Sequence, residues 1–211
     1  MDTTMSDDWF HLLNTVSIAF FAISGALVAY EEEVDSFGVI VLAVITAVGG
    51  GTLRDVLLDQ PIFWIDKPDY LYSTYGAIIV TVILIRLNSG ISNTLMIGFD
   101  AFGLALYNVI GIEKALINET GMAVAITLGT VTAIFGGLMR DVIARKVPLV
   151  MRCELYATAC IAGGLVYAGM LYAGAPYLWC ILASLVTTVS LRLGALKWGW
   201  RVPIFKKDIP E

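Results

Sequence analysis

A seven-residue motif occurs twice in this chain, each time inside an apolar segment long enough to cross a membrane. Residues 49–55 read Gly-Gly-Gly-Thr-Leu-Arg-Asp, and residues 135–141 read Phe-Gly-Gly-Leu-Met-Arg-Asp. In lipid every backbone polar group must be satisfied internally. Helix-weakening glycines and an Arg-Asp pair at membrane depth therefore survive only where something requires them. Matching interruptions in two halves of a membrane protein point to a transport or conduction site at the repeat interface.

The membrane reading follows from composition. The chain is 58% hydrophobic and 15% charged, with mean hydropathy +0.82, whereas soluble domains carry roughly 25% charged residues. The apolar residues fall into seven predicted helical spans, at about 11–30, 37–58, 70–87, 95–112, 121–143, 153–173 and 176–194. These are long runs without the short alternating segments of a β-barrel. The expected fold is thus an all-α polytopic membrane protein forming one domain over residues 1–211. The N-terminus to Trp9 is acidic and lacks the basic region of a cleaved signal peptide, so the first run reads as a true span. Cys153, Cys160 and Cys180 have no metal or redox spacing and read as packing residues. A net charge of −5 argues against nucleic-acid binding. No nucleophile–base set, metal cluster or cofactor motif is present, so neither an enzyme nor a cofactor is expected.

Basic residues set the expected orientation. Arg86, Arg145, Lys146, Arg152, Arg192, Lys197, Arg201, Lys206 and Lys207 fall on one side and only Lys67 and Lys114 on the other. The positive-inside rule places the N-terminus outside and the C-terminus in the cytoplasm of a cell inner membrane. Trp64, Tyr70, Tyr72, Tyr177 and Trp179 fit an outer aromatic belt, with Trp198 and Trp200 on the inner side. The outer segments are acidic (Asp2, Asp7, Asp8, Asp59, Asp66, Asp69, Glu113 and Glu119), which would concentrate cations at a pore mouth or simply solvate the loops. Glu31, Glu32, Glu33 and Asp35 form an acidic inner loop, and the basic tail suits anionic lipid headgroups.

The two motifs are offset by 86 residues, and the same offset aligns Asn14 with Asp100, Phe21 with Tyr107 and Gly25 with Gly111. Spans one to three (about 11–87) therefore repeat as spans four to six (about 95–173). An odd number of spans per repeat inverts the second copy. The seventh span (about 176–194) has no counterpart, is poor in polar residues before Thr187 and Thr188, and reads as scaffold.

Phe-Ala-Ile-Ser-Gly-Ala-Leu at 21–27, Gly-Gly-Gly-Thr-Leu-Arg-Asp-Val-Leu-Leu at 49–58 with Pro61 and Phe63-Trp64, and Gly-Gly-Leu-Met-Arg-Asp-Val at 136–142 resemble the bacterial branch of the trimeric intracellular cation channel family, also named for a glycine-transporter domain. The resemblance covers spans one to six. It implies two inverted three-helix repeats plus a seventh helix, a homotrimer, and a potassium-permeable pathway through each protomer between kinked second and fifth spans.

The motif chemistry sets further expectations. Gly49, Gly50 and Gly51 cost about 1 kcal/mol each in a helix, so a break there, repeated at Gly136 and Gly137, would free carbonyls for a cation. The same glycines would also serve close helix packing. Neighbouring residues point to different helix faces, so Arg54 should not simply neutralise Asp55, nor Arg140 Asp141. The two motifs lie toward opposite leaflets, which disfavours pairing between them. The repeat predicts an Arg140–Asp100 ion pair and, as its mate, an Arg54–Asn14 hydrogen bond. The family pattern often has an acid at the Asn14 position, and its loss would make that half less favourable to cations. Both arginines could alternatively snorkel to headgroups. Asn14, Ser17, Thr52, Tyr107 and Asn108 join Arg54, Asp55, Asp100, Arg140 and Asp141 as candidate pathway residues, although membrane hydroxyls often bond only their own backbone. His11 reads as interfacial. Two functions fit: a monovalent cation channel, or a transporter of glycine or a similar zwitterion held by carbonyls, acids and arginines together.

Overall fold

The computed structural model describes residues 7–87, 93–151 and 155–200. Expectations for Asp2, Arg152, Cys153, Arg201, Lys206 and Lys207 lie outside these residues. The chain forms α1 (Asp7–Glu31), α2 (Ser36–Leu57), a short α3 (Phe63–Asp66), α4 (Asp69–Leu87), α5 (Asn93–Ile117), α6 (Met122–Ile143), α7 (Ala157–Tyr172) and α8 (Tyr177–Trp198). A 3₁₀ turn, Leu149–Met151, follows α6. Six of these helices are long and apolar enough to span a bilayer, and α7 is a shorter apolar helix. The all-helical membrane fold is as predicted. One boundary differs: α5 continues five residues past the predicted end at 112, which places Glu113 and Lys114 on a helix and not in a loop.

The helix ends repeat as the sequence does. After α2, Asp59 adopts a left-handed conformation (φ 51°), its N–H bonds to Val56 O, and Gln60 N–H bonds to Asp55 O. After α6, Arg145 (φ 55°) bonds to Val142 O and Lys146 to Asp141 O in the same way. This pattern satisfies the last helical carbonyls, and Pro61 and Pro148 then prevent the helix from resuming. Glu33 after α1 and Glu119 after α5 form a second such pair, again 86 residues apart.

The centre of the molecule is the crossing of α2 and α6. A β-carbon on Gly50 would strike the Thr132 carbonyl, and one on Gly136 would strike the Thr46 carbonyl. Because 46 and 50 map onto 132 and 136 across the repeat, this crossing is antiparallel and self-symmetric, as a pseudo-two-fold axis requires. Flanking contacts obey the same relation. A β-carbon on Gly25 would lie 2.7 Å from Ala43 Cα, and one on Gly111 would lie 2.7 Å from Gly129 Cα. Thus α1 presses on α2 as α5 presses on α6, and α1 and α5 bury the largest shares of their length while α4 buries least. Such packing through small residues replaces the hydrophobic drive that helices lack inside lipid.

The expected breaks are not present. Both α2 and α6 are continuous α-helix through Gly49, Gly50, Gly51, Gly136 and Gly137. The glycine cost is offset by backbone approach, so the motif serves packing while the hydrogen-bond ladder stays intact. A β-carbon on Gly49 would meet only ordinary neighbours, Gly136 Cα at 3.8 Å and Phe135 Cδ1 at 4.0 Å. This explains why its repeat mate can be Phe135.

Candidate functional site

Arg54 and Asp55 occupy the last turn of α2, and Arg140 and Asp141 the last turn of α6; all four are buried. The helices are antiparallel at their crossing, so the two pairs lie on opposite sides of it, roughly 18 Å apart along the axis at 1.5 Å per residue.

In each motif the arginine bonds its own neighbour, against expectation. Arg54 Nε donates to Asp55 Oδ1 at 2.8 Å, and Arg140 Nε to Asp141 Oδ1 at 2.8 Å. The face rule describes where side chains leave the helix. A long arginine at a helix terminus can fold back beyond the last turn, where no following turn intervenes. The second aspartate oxygen is also committed. Asp55 Oδ2 accepts from Phe63 N–H at 2.9 Å, and Asp141 Oδ2 from Leu149 N–H at 2.9 Å. Each aspartate therefore ties the chain that follows its helix back to the helix end, eight residues on. These charge-assisted bonds are the stronger kind.

Beyond this shared frame the clusters diverge. Arg140 Nη1 stands 2.7 Å from Asp100 Oδ1, the ion pair anticipated from the repeat, and donates to Ser24 Oγ at 2.6 Å. Tyr156 donates its hydroxyl to Asp100 Oδ2 at 2.9 Å. Gly137 makes room for this group: a β-carbon there would lie 3.0 Å from the Tyr156 hydroxyl and 3.5 Å from Asp100 Oδ1. Arg192, counted in sequence among the residues of one membrane side, is instead buried on α8, its guanidinium carbon 4.7 Å from the Tyr156 ring centroid. The seventh span is therefore part of the buried polar network. The missed signal was Ser184, Thr188 and Arg192, spaced four apart on one helix face and all buried.

The first-repeat cluster has no second buried carboxylate among the described residues. Asn14 lies beside the Tyr70 hydroxyl and Arg54 Nη1 finds no hydrogen-bond partner among the described residues, so the expected Arg54–Asn14 bond is not made; Arg54 is drawn to Asp55, the charged acceptor. Lys114 Nζ approaches Asp55 Oδ1 to 3.5 Å, and the Phe63 ring fills the space beside Gly51. Two cations, Arg54 and Lys114, gather at Asp55, with the exposed Asp66 acting on Lys114 from farther off. In the other, one cation, Arg140, serves two carboxylates, Asp100 and Asp141.

The remaining candidates are placed as follows. Ser17 donates to Leu13 O at 2.7 Å, and Thr52 to Val48 O at 2.7 Å while accepting from Trp64 Nε1 at 2.9 Å. Tyr107 donates to Ala47 O at 2.7 Å, tying α5 to α2, and Asn108 Nδ2 donates to Cys160 O at 2.9 Å, tying α5 to α7. Glu113, placed by sequence on the acidic outer surface, is buried and accepts from the hydroxyls of Tyr167 and Tyr177. The helical extension of α5 turns it inward. Tyr70, expected in an aromatic belt, is buried with its ring 4.8 Å from His11. Near the second cluster a cavity of about 60 Å³ is lined by Asp141, Leu149, Glu31 and Lys146. Lys146 bridges Glu31 at 2.9 Å and Glu32 at 2.7 Å. Partial burial lowers the affinity of Lys146 for its proton, but the bonds and charges of Glu32 and Glu31 outweigh this and hold its pKa above the usual lysine value.

Comparison with known proteins adds to this geometry. The model of the family described as Glycine transporter matches residues 11–86 and again 97–172. The inner membrane protein YadS of Escherichia coli (strain K12) is 41% identical over 93% of this chain and 96% of its own length. A membrane protein of Vibrio cholerae is 39% identical over 97% of this chain and 86% of its own. Among solved structures, the trimeric intracellular cation channel orthologue from Rhodobacter sphaeroides superposes with a TM-score of 0.85 at 33% identity, covering 90% of this chain and 98% of that one. A second cation channel of the same kind gives 0.83 at 30% identity, covering 95% and 99%.

Proposed function

The chain belongs to the glycine transporter family, and on that footing we propose that it is a cation channel of the bacterial inner membrane. The observation that carries the reading is the near-complete superposition on solved cation channels at 33% identity, with buried charge at both ends of the α2–α6 crossing. In detail, the proposal is a homotrimer with one potassium-permeable path through each protomer. The path follows the α2–α6 crossing between α1 and α5. The N-terminus lies outside and the C-terminus in the cytoplasm, and membrane lipids surround a single domain of two repeats and a seventh helix. Asn14, Ser17, Thr52, Arg54 and Asp55 belong to the outer half of this path, with Asp100, Tyr107, Asn108, Arg140 and Asp141 completing it. The function is transport and involves no catalysis. With α2 and α6 continuous, the constrictions proposed for this path are side-chain clusters and not freed carbonyls.

Uptake of glycine or a similar zwitterion is the second reading. It is favoured by the excess positive charge at Arg54 and Lys114, which suits a carboxylate. Purified protein in liposomes separates the two. A channel gives discrete potassium currents without saturable uptake of labelled glycine, and a transporter gives saturable uptake without discrete openings.

The charge imbalance yields a further expectation. Asn14→Asp supplies the first repeat with the carboxylate that the second already has at Asp100. Potassium current should rise roughly threefold to tenfold at low ionic strength and by less at high salt. An unchanged or smaller current would show that the first-repeat cluster does not limit cation passage.

A further inference from the structure

The two repeats cover the rings of their matching tyrosines, Tyr70 and Tyr156, differently, although the hydroxyls face matching residues, Asn14 and Asp100. In the first, the Tyr70 ring packs against His11 at 4.8 Å and Phe63 at 5.1 Å. In the second, the guanidinium of Arg192 lies over the Tyr156 ring, and the hydroxyl of that ring bonds Asp100. Arg192, Tyr156, Asp100 and Arg140 are all fully or almost fully buried. Arg192 comes from α8, the helix that stands outside the repeat.

We infer that Arg192 is a positioning residue of the second-repeat cluster: it holds Tyr156 so that the hydroxyl occupies Asp100 Oδ2. The inference rests on the proposed channel reading, in which this cluster lies on the cation path. Asp100 then has one oxygen committed to Arg140 and the other to Tyr156, leaving it little capacity for a passing cation. Without Arg192 the tyrosine ring loses the cation that lies over it. The hydroxyl can then leave Asp100 Oδ2, which frees that oxygen to attract potassium. The seventh helix thereby sets the cation affinity of one end of the path.

The test uses the full chain in planar bilayers, with potassium current as the readout. Arg192→Met keeps much of the apolar stem and removes the charge. It should raise the current roughly threefold to tenfold at low ionic strength, with the gain shrinking as salt rises. Arg192→Lys should return most of the way to the parent current. Tyr156→Phe should move the current in the same direction as Arg192→Met, and the double variant should gain less than the sum of the two, since both act on one carboxylate. A well-folded Arg192→Met protein with parent-like current would overturn the inference, as would independent addition of the two effects. A thermal double-mutant cycle on Arg192 and Tyr156 in detergent needs no conduction: absent coupling there sinks the inference even if the parent protein carries no current, a result that would itself sink the channel reading.

Discussion

Arg140→Met should destabilise the folded protein by about 3–5 kcal/mol, the usual cost of removing one member of a buried ion pair. The guanidinium serves two buried carboxylates at once, Asp100 and Asp141. Their remaining partners, the Tyr156 hydroxyl and the Leu149 N–H, donate hydrogen bonds but no full charge. Adding Asp100→Asn to Arg140→Met removes one uncompensated carboxylate and should recover part of the loss. The matching change in the first repeat is milder. Arg54→Met leaves one carboxylate, Asp55, which keeps Lys114 at 3.5 Å, so about 1–3 kcal/mol is expected. Thermal unfolding in detergent, followed by tryptophan fluorescence, measures all three. Equal tolerance of Arg140→Met and Arg54→Met would contradict the difference in charge balance between the clusters.

The second large effect separates glycines that sit side by side. Gly50→Ala and Gly136→Ala should each destabilise by about 1–3 kcal/mol or more through overpacking, because the new methyl meets a carbonyl of the opposing helix backbone. Gly49→Ala should be neutral or stabilising by up to about 1 kcal/mol, the helix-propensity gain of alanine over glycine. Had the glycines acted as helix breaks, all three alanines would act alike. A shared response in unfolding temperature would therefore restore the break account. The two methyl groups at the self-symmetric contact should also push α2 and α6 apart, so both variants are expected to alter conduction in any protein that still folds.

The long-range plan was legible because it is written in periodicity and spacing. Seven apolar runs located the helices, and the 86-residue offset located the inverted repeat. That offset also brought Arg140 to Asp100 without any knowledge of packing. What escaped the sequence depends on where side chains go after they leave the backbone. The pairing of Arg54 with Asp55 arises from a flexible side chain at a helix end. The glycine motif looked like weakness in the helix, but only the opposing backbone of Thr132 or Thr46 reveals why Gly50 and Gly136 are needed. Glu113 counted as a surface charge because it stands beside Lys114 at the edge of an apolar run. One further turn of helix sends the two in different directions, Glu113 to Tyr167 and Tyr177, and Lys114 to Asp55. Arg192 was assigned by its distance from the helix end, although its spacing from Ser184 and Thr188 marks the buried face.

The most direct test of the central proposal is the reversal potential of single-channel current across a potassium chloride gradient, recorded with the purified protein in planar bilayers. A cation path lined by these clusters predicts discrete openings that reverse close to the potassium equilibrium potential. Reversal near the chloride potential, or an electrically silent protein that accumulates glycine saturably in liposomes, would contradict it.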